Sequence, residues 1–288
     1  METLFVNYFD IPIFIISYNR LSELKKIISR LESDGYKNIH IIDNASSNEE
    51  LLQYLKKSPH TVHFLDKNWG PDVLWQSHLF DDIILHQYYV LTDPDVIPVE
   101  ECPPDYVQYF YEVLQAYPEK TKVGFALKLD DIPEDYRYKY DIWRFESFYW
   151  EKCIQGSKSV LYDAPLDTTF ALYRPGVLSG RQDGDRFFSA IRTGAPYIAR
   201  HLGWYVTEKE ISSSTSGYYA DPKAANTSHN EKQMVNFRYA TAMKLLKSAN
   251  MEETAYLVNG RIERRNLFRV CTLFVKFLLK RVFKKTKL

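Results

Sequence analysis

The chain has 288 residues, room for one large or two small domains, and its 45% hydrophobic content excludes a largely disordered polymer. Its three cysteines (Cys102, Cys153 and Cys271) are odd in number and lack metal-site spacing, which argues against a disulfide framework and for a reduced compartment. Net charge is zero, yet residues 261–288 hold ten Lys/Arg against Glu263 while the other 260 residues carry 27 basic and 36 acidic side chains. An acidic body therefore ends in a basic tail.

At the N-terminus no basic region leads into a long apolar segment, so no signal peptide is expected. Asn226-Thr227-Ser228 accordingly reads as an incidental sequon. Residues 12–16 are a short apolar run that predicts a strand, followed by the polar turn Ser17-Tyr18-Asn19-Arg20. Ser22 is a candidate cap for a helix in which Leu24, Ile27, Ile28 and Leu31 make one apolar stripe. Residues 39–42 predict a second strand ending at Asp43-Asn44-Ala45-Ser46-Ser47, residues 49–57 a second helix, and residues 61–65 an alternating third strand. Lys67-Asn68-Trp69-Gly70-Pro71 breaks the chain before another helix, and residues 83–91 read as a helix end running into a strand.

Further along, residues 104–117 predict an aromatic-rich helix, 123–129 a strand, 130–141 a charged loop, 168–173 a strand and 196–200 a short strand. Small polar residues dominate 212–230, which reads as a loop. Strands alternating with helices predict an α/β sheet, and polar loops that each follow a strand would line one edge of it, where ligands of open sheets bind. There is no Gly-rich phosphate loop to support a dinucleotide site or a P-loop.

The apolar run that ends at Thr92 stops abruptly at Asp93-Pro94-Asp95. Two carboxylates at i and i+2 are poor core material, because an unpaired buried carboxylate is costly. Held at a strand end, they can turn toward one hard cation shared with phosphate. An acidic turn is the alternative, since Asp and Pro are ordinary turn residues.

Taken together, Ser17-Tyr18-Asn19-Arg20, Asp43-Asn44-Ala45-Ser46, Asn68-Trp69-Gly70 and Asp93-Pro94-Asp95 resemble the GT-A fold glycosyltransferases, particularly the inverting enzymes of family 2. They come in the family's order, each after a strand, over residues 10–100. Phe170-Ala171-Leu172-Tyr173-Arg174 and His201 extend the resemblance downstream. It implies an α/β, GT-A-like (Rossmann-like) mixed sheet flanked by helices. It also implies that Ser17, Tyr18 and Arg20 border the nucleotide, that Asp43 bonds its base or ribose, and that Asn68 lies near the nucleoside. Asp93 would face the ribose or a metal-bound water, and Asp95 would be the direct ligand of Mn2+ or Mg2+. His201 would be a further ligand, with His229 as its competitor and a structural histidine as the other reading. For the Ser17 and Asp43 loops the alternative is turn and helix-cap chemistry. Trp204 and Tyr205 are either a sugar-stacking wall or core aromatics.

An inverting transfer needs a carboxylate to take the proton of the acceptor hydroxyl. The family's Glu-Asp pair near the start of a later helix is missing here. Asp167, immediately before the strand at 168, is the favoured base, with Asp163 and Asp185 as alternatives. Asp167 would otherwise hold the donor sugar or cap a turn.

In the tail, Leu267, Phe268, Val270, Leu273, Phe274, Phe277, Leu278 and Phe283 alternate with Lys/Arg, and Arg269 and Lys276 interrupt the apolar stretch. Nothing there approaches the roughly 20 apolar residues that span a bilayer. An amphipathic helix lying on an anionic membrane surface is expected, with a terminal helix packed on protein as the alternative. No motif for reading nucleic acid accompanies it. The expectation is thus a glycosyltransferase domain over 1–260, with a nucleotide-binding region over 1–100 and an acceptor-binding region over 101–260. A membrane-binding tail would follow over 261–288, making the protein cytoplasmic and peripheral on the inner face of the membrane. It would carry a sugar from a nucleotide-diphosphate donor of the UDP type to a glycan or lipid-linked glycan in cell-surface polysaccharide synthesis, with inversion. A sugar nucleotidyltransferase is the first rival, though the chain lacks that class's Gly-rich loop with a basic residue. A non-catalytic glycan-binding, membrane-associated module is the second.

Overall fold

Buried aliphatic runs build the centre of the sheet. Strands β1 (Ile13–Ser17) and β2 (Ile39–Asp43) are buried along almost their whole length, as strands covered on both faces must be. The computed structural model describes residues 7–213, 218–221, 224 and 228–248. The remaining strands are β3 (Thr61–Phe64), β4 (Tyr89–Thr92), β5 (Val96–Pro98), β6 (Lys122–Leu127), β7 (Cys153–Gln155), β8 (Val160–Asp163), β9 (Ala171–Tyr173) and β10 (Ala190–His201). The helices are α1 (Leu21–Ser33), α2 (Glu49–Lys56), α3 (Val73–Gln76), α4 (Asp81–Ile84), α5 (Tyr106–Ala116), α6 (Lys139–Ser147), α7 (Gly180–Asp183), α8 (Asp185–Phe188), α9 (Glu208–Ser213) and α10 (Glu231–Ser248).

Among the described residues the strands form one ten-stranded mixed sheet in the order β3-β2-β1-β4-β9-β6-β10-β8-β7, with β5 paired to β10. β3, β2, β1 and β4 are mutually parallel, β9 lies antiparallel between β4 and β6, and β6 and β10 are again parallel. Helices α1 and α5 pack against this sheet. α1 buries the expected stripe of Leu24, Ile27, Ile28 and Leu31, and α5 buries Tyr106, Val107, Tyr109, Phe110, Val113 and Leu114. Tyr106, Phe110, Phe125 and Phe170 interlock as tilted and edge-on rings, while Phe14, Trp75, Tyr89 and Tyr173 belong to another region of the core.

Three expectations need correction. Ser22 does not cap α1: the helix begins at Leu21 after Arg20, whose side chain is engaged elsewhere. Side-chain capping occurs instead at α2, where Asn48 Oδ1 accepts from Leu51 N at 2.8 Å. The short strand expected at 196–200 is the end of the twelve-residue β10, whose pairing with β6 shifts register between Thr193 and Ile198, around the cis Ala195-Pro196 bond. The 212–230 loop contains the end of α9 and a short helical turn at Tyr218–Ala220.

By its internal contacts the chain divides into two units, 1–139 with 146–229 and 140–145 with 230–288. The first contains the sheet. In the second, Arg238 forks onto Asp141 at 3.0 and 2.7 Å, and Phe145 stacks on Phe237 with ring centroids 4.5 Å apart. The tail expected over 261–288 lies outside the described residues.

Candidate active site

Parallel pairing puts the polar loops of the first half on one sheet edge. Ser17 lies opposite Asp43, and Ile15 opposite Thr92, so the ends of β1, β2 and β4 stand side by side. Both Ser17 and Asp43 are 2% exposed or less, and among the described residues Ser17 Oγ and Asp43 Oδ1 have no hydrogen-bond partner. Buried polar atoms are ordinarily satisfied, so two orphaned oxygens in adjacent strands mark a surface suited to a polar ligand. Burial pushes the Asp43 carboxyl up, opposed by hydrogen bonds from Ser46.

Two asparagines hold these loops together. Asn19, in the left-handed region at φ 52°, accepts on Oδ1 from Ser47 N at 2.8 Å and Asn48 N at 3.0 Å. Asn44 Oδ1 accepts from Trp69 N at 2.8 Å, and its amide donates to Gly70 O at 3.0 Å. Asn68 accepts from Gly70 N at 2.8 Å, and its side chain also bonds Tyr18. Tyr18 OH donates to Asp221 Oδ2 at 2.5 Å.

The acid pair turns inward. Asp95 is 2% exposed, and Arg20 Nη1 lies 2.8 Å from its Oδ2. His201 Nε2 lies 3.4 Å from the same oxygen. A strand invisible in the sequence delivers this histidine: β5 starts one residue after Asp95 and pairs antiparallel with the end of β10, placing His201 opposite Val96. Leu202 N then donates to Asp95 O at 2.7 Å. Asp93 Oδ2 accepts from Thr168 Oγ1 at 3.1 Å. Burial, followed by the charge of Asp95, pushes Asp93 up to about 7. The same burial would raise Asp95, but Arg20 and His201 hold its carboxyl below the usual range.

Of the candidate bases, Asp167 adjoins the pair. It is exposed, precedes Thr168, and its negative charge contributes to raising Asp93. Its carbonyl accepts from Lys122 Nζ and Tyr173 OH, both at 3.1 Å. Asp163 and Asp185 are not brought to the pair. Asp163 lies on β8 opposite Ile191, near the start of β10, whereas His201 ends that strand, and it is gripped by Lys120 and Lys152. Asp185 precedes the start of β10, whereas Asp93 follows the end of β4. Those strands run the same way, so the two aspartates occupy opposite edges.

Trp204 is core rather than a sugar-facing wall: it is 4% exposed and stacks on His201 with centroids 4.9 Å apart. Tyr205 OH donates to Asp131. His229 Nε2 is 2.7 Å from Gly203 O, so His201 rather than His229 meets Asp95. The contacts of Arg20 with Asp95 and of Lys122 with Asp167 went unread in the sequence. A lysine at the head of the apolar run Lys122-Val123-Gly124-Phe125-Ala126-Leu127 was the available signal for the second.

The donor chemistry suits Mn2+ or Mg2+, with two carboxylates and an imidazole. Asp95 Oδ2 and His201 Nε2 are close enough to face one ion with Asp93 beside them, and among the described residues the buried His201 Nδ1 has no partner. Among the described residues, however, no three His, Cys, Asp or Glu side chains are gathered in ligating geometry. Arg20, rather than a third ligand, closes on Asp95.

No protein-family model matches the chain. No curated protein matches it either. Among solved structures it is similar to the mannosyltransferase PcManGT from Pyrobaculum calidifontis in complex with GDP-Man and Mn2+, with 12% identity, a TM-score of 0.43, and coverage of 96% of this chain and 83% of that one.

Proposed function

We propose that the protein is a glycosyltransferase that moves a sugar from a nucleotide-diphosphate donor to a hydroxyl acceptor. The observation that carries this reading is the edge where the orphaned Ser17 and Asp43 oxygens adjoin a buried cluster of Arg20, Asp93, Asp95 and His201. A ligand with a polar base or ribose at one end and a diphosphate at the other suits both regions. Ser17, Asp43 and Asn68 are assigned to the nucleoside, with Tyr18 bordering it, and Arg20 to the phosphates. Asp93, Asp95 and His201 would hold a divalent ion, which supplies charge neutralisation at the leaving diphosphate.

In the proposed reaction the acceptor oxygen attacks the anomeric carbon as the bond from that carbon to the diphosphate oxygen breaks. Asp167 takes the hydroxyl proton, and the electron pair leaves with the nucleoside diphosphate. The product is inverted. A UDP-linked sugar is the proposed donor, and a glycan or lipid-linked glycan the proposed acceptor.

Asp95→Asn and Asp167→Asn test these assignments. Asparagine at 95 keeps an oxygen acceptor for Arg20 but leaves its buried guanidinium without its closest countercharge, so this variant should unfold at a lower temperature than wild type. Asp167→Asn, at an exposed position, should keep the wild-type unfolding temperature within a few degrees, and both variants, assayed below their own unfolding transitions, should lose about 10²-fold or more in nucleotide release from UDP-sugars. Full transfer by folded Asp95→Asn removes the metal assignment. Near-wild-type turnover of Asp167→Asn across pH removes the base. Absence of nucleotide release by the wild type with every donor favours a glycan-binding module.

A further inference from the structure

The guanidinium of Arg20 sits where a cation would. Nη1 is 2.8 Å from Asp95 Oδ2, the oxygen that also faces His201 Nε2. Nη2 reaches Glu23 Oε1 at 3.4 Å, and the group lies over the Tyr218 ring at 4.6 Å from its centroid. Arg20 is only 7% exposed, yet among the described residues its Nε has no hydrogen-bond partner. The side chain is therefore charged and, among the described residues, has a donor to spare.

Asp95 Oδ2 cannot serve both cations. A divalent ion approaches carboxylate oxygens to about 2.0–2.2 Å, and a guanidinium on the same oxygen would then stand only a few ångströms from it in a buried setting. A diphosphate changes the balance, because its paired oxygens match the planar donor fork of arginine and can use the idle Nε.

We propose that Arg20 is an exchangeable stand-in for the metal: it occupies Asp95 while the site holds no donor, and a nucleoside diphosphate draws it off as the divalent cation enters. Metal and nucleotide then bind as a pair. This rests on the assignment of the site to a nucleotide-sugar donor.

Mn2+ titration followed by the electron paramagnetic resonance signal of the free ion tests it without turnover. The discriminating quantity is affinity for Mn2+ alone, since UDP adds ligands of its own to any bound metal. Wild type should bind Mn2+ alone at least tenfold more weakly than Arg20→Gln, and UDP should close most of that gap. Arg20→Met, without a competing donor, should behave as Arg20→Gln does and serves if that variant does not fold. Equal affinity of wild type and either folded variant for Mn2+ alone overturns the exchange. If wild type binds UDP and Mn2+ independently, the donor assignment survives and the exchange does not. If no protein binds Mn2+ or UDP, singly or together, the assignment of the site falls as well.

Discussion

Asp93 and Asp95 stand two residues apart and are treated oppositely by their surroundings. Arg20 and His201 keep Asp95 ionised against burial, whereas burial and the adjacent charge of Asp95 carry Asp93 up to about 7. With the guanidinium as the available cation, the pair favours one charge, and a second positive charge would ionise the other acid. Lys122 shows the same logic with the sign reversed. Its side chain is fully buried, bonded to Asp167 O and Tyr173 OH, with its amine 3.5 Å from the centroid of Phe187. Burial pushes the amine down to about 7, with the charge of Asp167 opposing. An unfolded lysine holds its proton up to about pH 10.4, so between pH 7 and that value the unfolded chain binds more protons and stability rises with pH. Lys122→Met, similar in length, should lose this rise, leaving Tyr173 OH still bonded to Asp167 O. Urea midpoints measured from pH 7 to 9.5 should therefore climb for wild type relative to the variant. Parallel profiles would show that Lys122 is not held near neutrality.

At the scale of elements, close approach of strands decides the site. Gly124 in β6 has no room for a side chain, since a Cβ there would meet Phe170 O at 2.3 Å and Ala171 Cβ at 2.7 Å. The β6–β9 contact leads back through Phe170 to Thr168 and Asp167. Gly124→Ala should cost about 1–3 kcal/mol by overpacking, measured as a lower urea midpoint with unchanged slope. An unaffected midpoint would mean that β9 can retreat at no cost. The first four strands and α1, α2 and α5 were legible because each is an apolar run or a 3.6-residue stripe bounded by polar residues. β5 and β7, three residues each, are too short to carry a period, and Pro196 masks the continuity of β10. Missing β5 meant missing why His201 meets Asp95.

Over the whole molecule, the sheet-bearing unit contains every residue assigned to the reaction, and no described helix is long and apolar enough to cross a membrane. The basic segment 261–288 is proposed as the attachment to an anionic surface, with cations toward headgroups and apolar residues toward acyl chains. Flotation of the full chain and of a 1–260 truncation with vesicles containing anionic lipid should carry up the full chain alone, with the difference reduced by salt. Equal flotation of both would remove the tail as the anchor.

By itself the sequence determined that Ser17, Asp43, Asn68 and Asp93 lie at strand ends on one edge, because strand period, turn residues and chain order are local properties of an α/β sheet. Only the tertiary structure decided the partners. It set Arg20 on Asp95, brought His201 there through β5 and β10, put Lys122 beneath Asp167, and left Asp163 and Asp185 far from the pair. A carboxylate carries no local sign of which cation it will meet. That depends on strand order and register between segments distant in the chain, and on burial that makes leaving it unpaired costly.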